Sequence, residues 1–102
     1  MHKDLKEWQK ASLAQQMADI GSEVGRAINW RNKNNKNYSG LAFKRALELI
    51  DASLIGKSAS QLKEILRARE VFTDFFVGEN SFNSTEESWN KYFLQFNLLA
   101  RR

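Results

Sequence analysis

The sequence predicts an all-α fold, an antiparallel up-down four-helix bundle built as one domain over residues 1–102. Three observations carry that expectation. The chain has no Pro and only five Gly, the two residues that break or weaken helix interiors. Apolar residues recur at three- and four-residue spacing in four separate stretches, the period of a helix with one buried face. Between the stretches stand polar runs and Ser/Thr-x-x-Gln/Glu boxes that stop and start helices. The predicted helices cover about residues 4–31, 38–55, 59–77 and 85–101.

The first helix is expected to start at Asp4 as N-cap, with Glu7 three residues on as its capping partner. Its apolar face is Leu5, Trp8, Leu13, Met17, Ile20, Val24, Ala27 and Ile28. Unbroken to Arg31, it would be about 40 Å long at ~1.5 Å per residue. Gly21 and Gly25 read as small residues under an approaching neighbour, or as a mild bend. The run NKNNKN at 32–37 ends the helix, since Asn favours turns and tolerates left-handed backbone.

The second helix is expected from Tyr38 or Ser39. Its stripe is Phe43, Leu47, Ile50 and Leu54, widened by Ala42, Ala46 and Leu49, and it ends at Ile55 before Gly56. Ser58 and Gln61 form a capping box for the third helix. That helix would bury Leu62, Ile65, Leu66, Phe72, and Phe75 or Phe76. Arg67 and Arg69 would face solvent or pair with Glu64, Glu70 and Asp74, and Gly78 closes the helix. Ser84 and Glu87 make a third box. The fourth helix, with Trp89, Tyr92, Phe93, Phe96, Leu99 and Ala100, is the most aromatic element and is expected to plug the core. Arg101 and Arg102 suit a helix C-terminus, where the dipole favours cations.

Hydrophobic residues make up 42% of the chain, with seven Phe and three Trp, too apolar for a disordered chain of this charge. No apolar run reaches the roughly 18 residues of a membrane span, and the charged N-terminus MHKDLKEWQK has no signal core. A soluble cytoplasmic protein is expected. The net charge is +4, and its distribution matters more than its size. Residues 26–45 hold Arg26, Arg31, Lys33, Lys36, Lys44 and Arg45 and no acidic residue. On either side, acids and bases nearly balance. A local field of that sign attracts phosphates or an acidic protein surface.

The same residues exclude most enzyme chemistry. There is no Cys, and the one histidine is His2, beside the initiator Met. Nucleophile–base pairs built on those side chains are therefore excluded, as are the usual zinc sites. Glu48 with Asp51, and Glu70 with Asp74, have helical spacing. Each has Lys or Arg nearby and reads as a solvated face rather than a cation site. Gly56-Lys57-Ser58 matches the end of a phosphate-binding loop, but Asp51 stands where that loop needs Gly, and a helix precedes it instead of a strand. Residues 26–51 faintly suggest a tetratricopeptide unit, yet the small and aromatic positions lose the spacing and no second copy follows.

In residues 27–55 a helix ends in a polar turn and is followed by Tyr38, Leu41 and Phe43, then Ala46, Leu47 and Glu48. This resembles the front hairpin of HEPN-type helical bundles, over less than a third of the chain. The resemblance implies a small bundle that often dimerises and works in bacterial or archaeal defence and toxin–antitoxin systems. HEPN ribonucleases use an Arg-x(4–6)-His motif. No His follows position 2 here, so no catalytic residue carries over and the resemblance implies a non-catalytic relative. In charge and architecture the chain also looks like small basic bacterial bundles that accompany RNA or reverse transcriptases.

The functional expectation is a non-enzymatic bundle, without cofactor or metal, that contacts RNA or single-stranded nucleic acid through the 26–45 hairpin. Arg26, Arg31, Lys33, Lys36, Lys44 and Arg45 would meet phosphates. Trp30 and Tyr38 would stack on unpaired bases, or pack together as the staple that closes the hairpin. The four Asn of the turn could bond phosphate, sugar or base edges. In the up-down topology the loop bearing Glu79, Glu86 and Glu87 lies at the same end and would partly neutralise the tip. The alternative is a protein-interaction or homo-oligomerisation module whose basic tip docks an acidic partner.

Overall fold

The computed structural model describes residues 5–101. Its regular structure is helical throughout, in five elements rather than four: α1 (Leu5–Lys10), α2 (Leu13–Asn32), α3 (Lys36–Ala52), α4 (Ala59–Val77) and α5 (Glu86–Ala100). The expected cap at Asp4, the burial of Leu5, His2 and the final Arg102 lie outside the described residues.

The fifth element arises because the first predicted helix is broken at Ala11 and Ser12. Ser12 has extended backbone, and its hydroxyl accepts from Gln15 N at 3.1 Å, an N-cap for α2. Capping a new start satisfies an otherwise orphaned N–H. The apolar spacing already falters there, with a step of five from Trp8 to Leu13. Gln16, fully buried, donates Nε2 to Trp8 O at 2.7 Å. That bond folds α1 back, so that Trp8 is buried in the core and α1 touches α3.

The other boundaries move by a few residues, for similar reasons. Asn35 caps α3 by accepting from Tyr38 N, so the helix starts at Lys36, ahead of the expected Tyr38. α3 ends at Ala52, where Ser53 is fully buried and donates its hydroxyl to Ile50 O at 2.7 Å. Gly56 then takes φ +75°, the left-handed turn that only Gly adopts without strain. The Ser58–Gln61 box is present as expected. The α5 box is Thr85 with Ser88, one residue later than Ser84 with Glu87.

α2 lies between α3 and α5 and packs closely on both, and α3 also meets α4. Small residues allow the close approach. Ala27 and Ala46 are fully buried, and Ala42 nearly so. A Cβ on Gly21 would sit 2.7 Å from Phe93 Cγ and 2.9 Å from Phe93 Cβ. The base of the Phe93 side chain therefore lies against the α2 backbone. Gly25, one turn on, faces open space.

α4 reaches the rest through large rings. Phe72, 1% exposed, contacts Phe43 of α3, Phe76 of its own helix and Trp89 of α5 at centroid distances of 5.2, 5.8 and 5.8 Å. Aromatic pairs of this kind add about 0.5–1.5 kcal/mol beyond area burial. Two side-chain polar ties join α4 to α3 and α5. Arg69 Nε lies 2.8 Å from Asp51 Oδ1 on α3, so its partner is neither Glu70 nor Asp74. Tyr92 donates its hydroxyl to Glu64 Oε1 at 3.1 Å. Two residues assigned to the core are exposed instead. Leu66 and Leu99 are each 48% exposed, because Ile65 with Ala68 and Phe93 with Phe96 already fill the inward faces.

Two predictions follow from this packing. Gly21→Ala should lose about 1 kcal/mol or more of stability, because overpacking displaces Phe93. Gly25→Ala should gain about 0.5–1 kcal/mol from helix propensity alone. Urea denaturation of the two variants separates the effects. Burial and the neighbouring Glu64 carboxylate push the Tyr92 phenol above its ordinary value. Above pH ~10, where an unfolded Tyr begins to ionise, the native state holds a proton that the unfolded state has lost. Stability should therefore fall as pH rises past that point, and Tyr92→Phe should flatten this alkaline limb in pH-resolved thermal melts.

Candidate nucleic-acid interface

The α2–α3 turn is three residues long and is closed by its own asparagines. Lys33 N bonds Asn29 O and Trp30 O, both at 3.2 Å, and ends α2. Asn34 takes φ 62°, a left-handed conformation that Asn tolerates better than most side chains. Asn35 N then reaches back to Trp30 O at 2.9 Å while its side chain caps α3. The turn backbone is thus hydrogen-bonded on both sides.

The six cations of residues 26–45 divide into two groups. Arg26 and Arg31 are engaged within the protein. Arg26 Nη1 lies 2.6 Å from Glu23 Oε1, one turn back. Arg31 is only partly exposed. Its guanidinium sits over the Phe75 and Phe76 rings at 4.6 and 4.7 Å, and Nη1 donates to Phe76 O at 3.5 Å. Arg31 falls in helical phase with Val24, Ala27 and Ile28. That phase was the sequence signal for an inward-facing Arg, which its charge alone masked.

Lys33, Lys36, Lys44 and Arg45 form the second group. All four are exposed, and no ion pair to any of them occurs among the described residues. Lys33 Nζ lies 5.2 Å from the Trp30 ring centroid. Trp30 and Tyr38 meet edge to face at 4.8 Å and 70°, so the pair does close the hairpin. It does not bury Tyr38, which stays 53% exposed, with Leu41 at 51% one turn along. Lys36 and Lys44 are separated by about 12 Å along α3 at ~1.5 Å per residue.

One acidic group of the α4–α5 segment reaches the turn. Asn32 Nδ2 donates to Glu86 Oε1 at 3.0 Å, tying the turn to the first residue of α5. Glu87 is taken by Lys91 at 3.4 Å. Glu48 follows Lys44 and Arg45 by one turn and pairs with neither. Asp51 is committed to Arg69. No group of three His, Cys, Asp or Glu suited to holding a metal occurs among the described residues. No helix there is long and apolar enough to cross a membrane.

The division predicts opposite outcomes for substitutions of like charge. Arg31→Ala should lower stability by about 1 kcal/mol or more, through lost ring contact and packing of its apolar stem. Single Ala substitutions at Lys36, Lys44 or Arg45 should stay within about 0.5 kcal/mol of the parent. Chemical denaturation of the four proteins checks both. Comparison with protein-family models, curated proteins and solved structures finds no match to this chain.

Proposed function

We propose that this is a small non-enzymatic helical protein that contacts RNA or single-stranded nucleic acid through the outer face of the α2–α3 hairpin. The supporting observation is the combination on one hairpin of four exposed cations without acidic partners and a half-exposed Tyr38 ring braced by Trp30. Cations on such a face meet phosphates without sequence preference. A braced ring presents a surface for one unpaired base, worth about 1–3 kcal/mol. Arg26 and Arg31 contribute to the field but serve first as internal contacts. In this reading the four long helices run up and down as a bundle, and the chain is a non-catalytic, self-associating relative of the HEPN-type proteins in a bacterial cytoplasm.

A second reading rests on Leu41, exposed beside Tyr38 on the same helix face. An aromatic and an aliphatic side chain flanked by cations also suit an acidic protein partner.

Binding to fluorescent RNA, single-stranded DNA and duplex DNA at several salt concentrations tests the proposal. Four phosphate contacts should give a slope of log affinity on log salt of about −3 for single strands. The Lys33/Lys36/Lys44/Arg45→Ala variant should lose binding while melting like the parent. Tyr38→Ala should weaken single-strand binding by about tenfold and duplex binding far less. Undetectable binding at low salt, or unchanged binding by the quadruple variant, would move the assignment to the protein-partner reading.

A further inference from the structure

A cleft of about 370 Å³ opens between α4 and α5 beneath the 78–85 loop, among residues that the hairpin proposal does not use. Its volume falls within the ~300–1,000 Å³ range of small-molecule sites. It exists because rings, rather than small residues, separate these two helices. Ala68 and Val71 of α4, Trp89 and Tyr92 of α5, and Phe82 of the loop supply apolar walls. Glu64 and Arg67 lie on the α4 wall, three residues and therefore one turn apart.

The state of those two charges is informative. Glu64 accepts from the Tyr92 hydroxyl, which fixes the carboxylate at the cleft and leaves it without a cationic partner among the described residues. The Arg67 guanidinium lies 6.0 Å over the Phe82 ring and makes no ion pair among them. The two sit one turn apart yet do not pair with each other. The loop that carries Phe82 is held in place. Asn80 donates Nδ2 to Ser84 O and accepts from Ser84 N, both at 2.9 Å, with Asn80 and Asn83 in left-handed backbone.

We propose that this cleft binds a zwitterionic small molecule with an apolar body, of the α-amino-acid class. Its ammonium group meets Glu64, its carboxylate meets Arg67, and its side chain lies against Phe82, Val71 and Tyr92. Arg67 is exposed and Glu64 half-buried, so a ligand with one charge gives up one of the two charge-assisted hydrogen bonds and binds less tightly.

The test is a titration of the ¹⁵N-labelled full chain with L-phenylalanine and L-leucine. Phenethylamine and 3-phenylpropanoate serve as one-charge analogues. Saturable shifts are expected for the amides of Phe82 and Tyr92 and for the Trp89 indole, with each analogue at least about tenfold weaker. Glu64→Gln, which keeps an acceptor for Tyr92, and Arg67→Gln should each weaken binding by a similar factor at unchanged melting temperature. The proposal is overturned if neither amino acid moves these resonances at millimolar concentration. It is also overturned if an analogue binds as well as its parent on the unmodified protein, or if both variants bind like the parent. Nucleic-acid binding by the hairpin has no bearing on any of these outcomes.

Discussion

The contact of Phe93 with the bare backbone at Gly21 governs the arrangement of the helices. A ring lying on glycine lets α5 approach α2 more closely than any side chain would allow, and the row Ala27, Ala42 and Ala46 does the same for α3. Once both neighbours are drawn in to α2, no comparable row of small residues is left for α4. It is held instead at the distance set by Phe72, Phe75, Phe76 and Trp89. Close packing on one side and ring-spaced packing on the other follow from residue size alone. The open space between α4 and α5 is a product of that asymmetry.

The same asymmetry decides which cations are free. Arg31 extends from α2 toward the ring-spaced side and finds two Phe faces and a carbonyl there. Arg31 thereby clamps the turn end of α2 to the end of α4, while Asn32 ties it to α5 through Glu86. Lys36, Lys44 and Arg45 stay exposed at intervals along α3. A charge count along the chain treats all six cations as one cluster. The packing separates Arg31, which ties α2 to α4, and Arg26, paired within its own helix, from the four that the hairpin displays.

Much of this was legible in the sequence, and the remainder shows what sequence reading lacks. The all-helical class followed from the absence of Pro and the three-to-four apolar period, and the Ser58–Gln61 box was read to the residue. The break at Ser12 was signalled by the gap between Trp8 and Leu13, but a Ser within a helical pattern does not by itself reveal that it caps a new helix. Leu66 and Leu99 are in phase with buried residues, and only the neighbours they lack explain their exposure. Arg26 pairs with Glu23 one turn back on its own helix, whereas what separates Arg31 from Lys36 is where Phe75 and Phe76 lie in space. For Arg31 that is a contact across 45 residues of chain. Arg67 is exposed, within what its place on α4 suggests, but spacing along a helix gives no information about the Phe82 ring beside it or the Tyr92 hydroxyl on Glu64.

The turn at Asn34 has a consequence for any partner of the hairpin. Its left-handed backbone is locked between bonds to Arg31 and Trp30, and Asn35 fixes the first turn of α3 beyond it. The loop is therefore rigid before it meets anything, and little disorder remains to be surrendered on contact. Replacing these asparagines with a slack Gly/Ser segment would keep every positive charge and still raise the entropic cost of any contact made there.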